Sequence, residues 1–255
     1  MSDFLALLKS KNECLFHFGM LCLLSAALML IKSKFSDLQI NELNAWYKPV
    51  KFALSMGLFS LTMGWYTGYL TTYHDLNIYN WTVIICLGFE VFYVAFQAAR
   101  GQLSHYNTGS PLYTTLTAAM ALAAIAATLY TGYIGVLFCT GKFPELPDYY
   151  LWAIRLGIFI FALFALEGAV IGANGSPRVG SAGGRTLPFL NWSLTSGDLR
   201  IAHFVGMHAL QVLPLLAYFV FREVKTVLFM GLVYIALALL CLQQALHGKS
   251  MFHFN

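Results

Sequence analysis

The sequence predicts an all-α membrane protein, a bundle of seven transmembrane helices that forms one transmembrane domain over residues 1–255. Hydrophobic residues make up 59% of the 255 positions and charged residues only 10%, whereas a soluble domain carries about a quarter charged residues. Apolar runs of roughly 18 residues or more, long enough to cross a bilayer, recur along the whole chain. The predicted spans cover residues 14–31, 51–71, 81–100, 112–139, 150–173, 199–221 and 225–247.

Lysine and arginine residues are distributed unevenly between the two sides of these spans. The side that holds Arg100, Arg178, Arg185 and Arg200 carries more of them, and such loops remain in the cytoplasm. This bias places the N-terminus outside and the C-terminus in the cytoplasm, and it accounts for the formal net charge of +4. We expect a protein of the cytoplasmic (inner) membrane of a bacterium, with the lipid bilayer and a small-molecule or lipid substrate as partners. The sequence has no basic stripe of the kind that binds nucleic acid, so we expect no nucleic-acid partner. It does not predict the oligomeric state.

A motif recurs near the ends of the third and seventh spans. Gln97 begins the pattern Gln-Ala-x-x-Gly followed by His-aromatic-Asn, and Gln244 begins the same pattern with one additional residue before the histidine. The second and sixth spans also begin alike, with Lys51-Phe-Ala and Arg200-Ile-Ala. The pattern predicts two parallel three-helix units joined by the fourth span. This layout resembles that of the three-plus-one-plus-three sugar carriers, whose Pro-Gln signature is absent here.

A carboxylate lies in the middle of the third span, at Glu90, with no basic residue within one helical turn. Gln97, Gly101 and Ser104 follow at spacings that place them on the same face of the helix. A charge in the hydrocarbon region costs several kcal/mol, so such a group usually faces the bundle interior or a hydrated cavity. We therefore predict a functional site around Glu90.

Other polar groups become more numerous toward the basic side, at about 1.5 Å of depth per residue. His208 and Gln211 fall near the level of Glu90. The groups closer to the cytoplasm or at its surface are Glu167, His203, Gln97, Gln243, Gln244, Arg100, His105, Asp198, Arg200 and His247. This gradient predicts a cytoplasm-facing polar cavity that narrows onto Glu90 and His208. Pro214 is expected to bend the sixth span.

The longest connection, the cytoplasmic loop 174–198, is rich in glycine, serine and proline. A connection of this length without regular structure usually indicates a functional loop or disorder. We expect it to act as a lid or as a substrate-binding loop at the mouth of the cavity.

The first of three functional hypotheses is an enzyme that acts on a lipid-phase or amphipathic small molecule by acid–base chemistry. Its catalytic residues would be Glu90, His208, Gln211 and Gln97. Its substrate-binding residues would be Glu167, Arg100, Gln244 and Asp198. A metal-assisted version would use His203, His105 and His247 as ligands, although the His-x-x-x-His pair of the alkaline ceramidase type of zinc hydrolase is missing.

The other two hypotheses assign different roles to the same polar residues. A proton-coupled small-molecule carrier would need an acid at the membrane midplane, a polar cavity and a repeat. A b-type cytochrome would need two histidines at one depth on different helices, which only the shallow pair His105 and His203 offers. The cofactor is unknown, and a divalent metal such as zinc is favoured over haem.

Overall fold

The computed structural model describes residues 2–70, 76–107, 109–180 and 183–251, and it is mostly helical, as predicted. The helices are α1 (Ser2–Lys11), α2 (Glu13–Lys34), α3 (Tyr47–Thr67), α4 (Leu76–Ala99), α5 (Pro111–Thr140), α6 (Asp148–Leu166), α7 (Gly168–Ala173), α8 (Leu199–Met207), α9 (Ala209–Phe219) and α10 (Val224–Leu246). Two antiparallel ribbons pair β1 (Gln39–Ile40) with β2 (Leu43–Asn44) and β3 (Arg178–Val179) with β4 (Gly197–Asp198).

Among the described helices, five segments are long and apolar enough to cross a membrane, and a sixth is counted if the bent pair α8 and α9 forms one span. The five are α2, α4, α5, α10 and the segment Asp148–Ala173, which contains α6 and α7. They indicate an integral membrane protein. The second predicted span coincides with α3, which is not one of these segments because lysine, serine and threonine dilute its apolar residues. The count of seven spans and their orientation therefore stay predictions.

The chain divides into two compact units, unit 1 (residues 1–130) and unit 2 (residues 131–255). In unit 1, α3 packs against both α2 and α4, and α1 lies against α2 and α3. In unit 2, the pair α8 and α9 packs against both α6 and α10. In each unit, the second of three helical segments thus packs against the first and the third, and in unit 2 α6 and α10 also contact each other. The single domain predicted for residues 1–255 stays a prediction.

Two glycines allow a close contact between α2 and α3 in unit 1. Gly19 on α2 and Gly57 on α3 lie opposite each other, and a Cβ added to either residue would lie 3.1 Å from the carbonyl oxygen of the other. Small residues allow two helix backbones to approach in this way in a lipid environment. α2 and α3 therefore pack backbone against backbone at this level.

Asn12 holds the start of α2 against the end of α3. Its side-chain Nδ2 donates to Thr67 Oγ1 and to Asn80 Oδ1, both at 2.9 Å, while its Oδ1 accepts from the backbone N–H of Leu15 at 3.1 Å. The last contact is the N-cap of α2, where an asparagine oxygen satisfies a backbone donor of the first turn. One side chain thus starts α2 and joins it to α3 and α4.

Two of the predicted spans are interrupted in unit 2. The fifth span breaks at Glu167, between α6 and α7, and the sixth breaks at His208, between α8 and α9, with a bend of 43°. The sixth span is bent, as expected, but the break lies at His208, six residues before Pro214, which lies inside α9. A Cβ on Gly206 would overlap the ring of Phe164, so the last turn of α8 lies directly against α6.

The loop 174–198 has regular structure where it is described, contrary to the expectation. Arg178 pairs with Asp198 and Val179 with Gly197 in the β3–β4 ribbon, and an isolated bridge joins Thr186 to Ser193. A Cβ on Gly197 would overlap the carbonyl oxygen of Ala245 on α10, so the ribbon packs against the end of that helix. Its role as a lid or substrate loop stays a prediction.

Candidate functional site

The helices α4 and α10 end in the same hydrogen-bonded structure. In each, the glycine N–H donates to the alanine carbonyl three residues earlier, and the next N–H donates to the carbonyl of the glutamine. These distances are 3.0 and 2.9 Å after Gln97, and 2.9 and 3.1 Å after Gln244. The glycines adopt positive φ, +65° at Gly101 and +71° at Gly248. This is a Schellman motif, in which a left-handed glycine closes the helix.

The two glutamine side chains also have matching contacts. Gln97 Nε2 donates to the carbonyl of Leu103 at 3.4 Å, and Gln244 Nε2 donates to the carbonyl of Ser250 at 2.7 Å, in each case six residues later. The Gln-Ala-x-x-Gly part of the motif is therefore the same local structure twice. The His-aromatic-Asn part of the second copy lies outside the described residues.

Glu90 lies on the buried face of α4, and only 5% of its surface is exposed. Gln97 shares this face and is fully buried, and its amide also donates to Tyr93 Oη at 3.1 Å. The Oε1 atoms of both Glu90 and Gln97 are buried without a hydrogen-bond partner in the described part of the chain. Buried acceptors of this kind are rare in native proteins and call for a ligand, water or proton.

Lys48, in the first turn of α3, is close enough for its charge to act on Glu90. Sequence reasoning did not identify this residue, because it searched for a cation on the helix that carries Glu90. The available signal was the position of Lys48 at the start of a predicted span, on the membrane side where the third span ends. In unit 1, the charge of a lysine on α3 therefore acts on the buried carboxylate of α4.

Lys48 also joins the start of α3 to the loop that follows α4. Its Nζ donates to Ser104 Oγ at 2.9 Å and to His105 Nδ1 at 3.0 Å, and Ser104 Oγ lies 3.1 Å from the same imidazole nitrogen. Burial, with a further contribution from the Lys48 charge, lowers the pKa of His105 to about 3. The imidazole is therefore neutral, and its Nδ1 can accept from the ammonium group.

Unit 2 contains a buried contact between an acid and an imidazole, Glu167 and His203. Glu167 Oε2 lies 3.2 Å from His203 Nδ1, and Glu167 is 7% exposed. Both carboxylate oxygens and this nitrogen lack a partner in hydrogen-bond geometry among the described residues. A Cβ on Gly168 would lie 3.2 Å from His203 Cε1, so a glycine beside the acid leaves room for the ring.

His208 is placed at the joint between α8 and α9. Its Nδ1 donates to the carbonyl oxygen of Phe204 at 2.9 Å, and the two rings lie 4.0 Å apart between centroids. The Gln211 N–H donates to the His208 carbonyl at 3.0 Å. The predicted pairing of His208 with Glu90 joins residues of different units and stays a prediction.

Asp198, a predicted substrate-binding residue, is 2% exposed and caps the N-terminus of α8. Its Oδ1 accepts from Arg200 Nε at 2.8 Å, and its Oδ2 accepts from Arg200 Nη2 at 2.6 Å and from the Ser193 N–H at 2.8 Å. The Arg200 guanidinium also donates to the Asn191 carbonyl. Both carboxylate oxygens of Asp198 and the amide of Gln244 thus have partners within the chain, and their substrate-binding role stays a prediction.

Two other predicted site residues, His247 and Arg100, each contact a residue four positions earlier in the chain. His247 is exposed and its Nδ1 donates to the Gln243 carbonyl at 2.8 Å, while Arg100 is exposed with its guanidinium 5.3 Å from the centre of the Phe96 ring. Among the residues that the structure describes, no three of the His, Cys, Asp and Glu side chains are grouped so that they could hold a metal ion. The zinc set of His203, His105 and His247 therefore gains no support from the geometry.

The chain has no match among known protein families, curated proteins or solved structures.

Proposed function

We propose that this protein is a proton-coupled carrier of a small molecule in the cytoplasmic membrane of a bacterium. The observation that carries the proposal is the match between the units. In each, three helical segments pack so that the second contacts the first and the third, and the third ends in the same glutamine–glycine cap. Many carriers are built from two such repeats, whose movement gives access to a binding site from alternate sides of the membrane.

Buried polar groups support the same proposal. Glu90 and Glu167 are acids inside apolar helical segments, and such groups mark proton relays and substrate pathways in membrane proteins. The unsatisfied Oε1 atoms of Glu90 and Gln97 are acceptors for donor groups of a substrate. The breaks at Glu167 and His208 are the kind of discontinuity that carriers place at their binding sites.

The test is transport by the purified full-length protein in proteoliposomes. Amines, carboxylates and sugars are offered one class at a time, with and without an inward proton gradient. We expect one class to accumulate only with the gradient, and a protonophore to abolish the accumulation. Protein-free liposomes provide the background. Substrate uptake that is the same with and without the gradient, for every class, would reject the proton-coupled carrier.

A second candidate function is favoured by one contact in unit 1. Ser104 Oγ lies 2.9 Å from Lys48 Nζ, and a hydroxyl beside an amine is the arrangement of a serine nucleophile with a lysine base. With Lys48 deprotonated, such a pair would transfer acyl groups from amphipathic esters. The observation thus supports the enzyme hypothesis through different residues from the predicted Glu90 and His208.

A serine-directed fluorophosphonate probe separates the two functions. Covalent labelling of the wild-type protein, lost in Ser104→Ala and kept in the loop variant Ser36→Ala, would support the enzyme. Absence of labelling together with gradient-driven uptake would leave the carrier.

A further inference from the structure

The contact between Glu167 and His203 has a property that the other polar contacts of unit 2 lack. Both carboxylate oxygens and the imidazole Nδ1 are buried, and within the described residues none has a partner in hydrogen-bond geometry. Yet Oε2 and Nδ1 are only 3.2 Å apart. A buried carboxylate without hydrogen bonds is strongly destabilising. Binding one proton therefore stabilises this pair.

We infer that Glu167 and His203 together bind the coupled proton, an inference that rests on the proposed function. In the unprotonated pair, the buried carboxylate faces a neutral imidazole, which can place its one ring proton on Nδ1, and the pair keeps a net negative charge that one added proton removes. One proton taken from water converts this arrangement either to a carboxylate facing an imidazolium or to a carboxylic acid facing an imidazole. Both forms contain a charge-assisted or strong hydrogen bond, and release of the proton to water restores the starting state.

The position of the pair connects protonation to helix packing. Glu167 is the residue at which α6 gives way to α7, and His203 is in the middle of α8, which packs against α6, α7 and α10. Gly168, next to the acid, allows the imidazole to approach the backbone. The charge-assisted hydrogen bond of the protonated pair therefore joins α8 to the joint between α6 and α7 more strongly than the contact of the unprotonated pair does.

Four other ionisable groups on the elements packed around the pair already have partners. On α8, Arg200 is bound to Asp198, and on α6, Arg155 Nε donates to the Phe138 carbonyl at 2.9 Å. His208, before α9, donates to Phe204, and on α10 the Tyr234 hydroxyl donates to the Val205 carbonyl at 2.7 Å. The remaining ionisable groups on α10 are Lys225, Cys241 and, at its end, His247. α7 has none.

The first measurement does not require a substrate. Infrared difference spectra of the purified protein in lipid, recorded between mildly acidic and mildly alkaline pH, detect a buried carboxylic acid by its carbonyl stretch and an imidazolium by its ring vibrations. We expect Glu167→Gln and His203→Gln each to change the bands of the pair, and Glu145→Gln, in an exposed loop, to leave them unchanged. A Glu167→Gln spectrum identical to that of the wild type overturns the inference.

The second measurement uses the transported substrate class in proteoliposomes. We expect Glu167→Gln and His203→Gln to retain substrate exchange at equal pH and to lose accumulation driven by the proton gradient, while Glu145→Gln retains both. Gradient-driven accumulation by Glu167→Gln overturns the inference and leaves the carrier standing. A wild-type protein that transports no substrate rejects the proposed function and the coupling role with it, and the infrared band then reports only an uncoupled proton site.

Discussion

Arg200 binds Asp198 through two parallel contacts, Nε to Oδ1 at 2.8 Å and Nη2 to Oδ2 at 2.6 Å. The aspartate is buried and the arginine is partly buried, and the same carboxylate caps α8 and accepts from the loop at Ser193. One ion pair thus connects the start of the middle helical segment of unit 2 to the ribbon of loop 174–198. Its contribution is to the stability of this unit.

Asp198→Asn should therefore lower the thermal unfolding temperature. The variant weakens two charge-assisted hydrogen bonds and leaves the guanidinium without its counter-charge, a loss of about 2 kcal/mol. Thermal unfolding of the purified protein in detergent measures the effect, with the exposed Asp37→Asn as the control. Equal unfolding temperatures for the two variants would contradict the structural role of Asp198.

Asn12→Ala should destabilise unit 1. The substitution removes the N-cap of α2 and the two hydrogen bonds to Thr67 and Asn80, which together stabilise the fold by about 1–3 kcal/mol. The comparison is Asn77→Ala, at an exposed position of α4. If both variants unfold at the wild-type temperature, Asn12 does not join the three helices.

Gly19→Ala should disturb the packing of α2 on α3. The added methyl group would lie 2.9 Å from the Leu61 side chain and 3.1 Å from the Gly57 carbonyl, and such overpacking costs about 1–3 kcal/mol. Gly172→Ala is the matched control, because nothing lies within 4 Å of a Cβ at this helical glycine. The unfolding temperature should fall for the first variant alone, and the reverse order would reject the close contact.

His105 should contribute to the loss of stability at low pH. Its pKa in the folded protein is about 3 against an ordinary value of 6.5, so the unfolded state binds more protons between these two values. Stability from this residue is complete above about pH 6.5 and declines as the pH falls toward 3. The difference in unfolding temperature between about pH 7 and about pH 5 should therefore shrink in His105→Gln. An unchanged difference in His105→Gln would refute this role for His105.

Glu90→Gln should leave the protein folded and abolish transport. An amide fits the buried position without the charge, so folding is retained, whereas proton exchange and acceptance of a substrate donor group are lost. Uptake into proteoliposomes, normalised to folded protein, is the measurement, and Glu145→Gln should transport like the wild type. Normal uptake by Glu90→Gln would remove this residue from the site.

Hydropathy and periodicity were sufficient to locate the helices that correspond to the predicted spans, since both signals are contained in short stretches of chain. They also placed Glu90 and Gln97 on one buried face of α4, because a spacing of seven residues is two helical turns. They did not detect α1, which is too short for a span, or the breaks at Glu167 and His208. The bend they predicted in the sixth span is present, but the break lies at His208, whereas Pro214 lies inside α9.

The sequence by itself therefore determined the apolar helices, the buried face that carries Glu90 and the glutamine–glycine ends of α4 and α10, all of which depend on neighbours within a few turns. The tertiary structure decided that Lys48 binds Ser104 and His105, that Asp198 is held by Arg200 and Ser193, and that Glu167 meets His203. Two of these contacts join residues 36 or more positions apart, and the third depends on a loop ribbon. Such partners are selected by how helices pack against one another, which no local pattern of residues encodes.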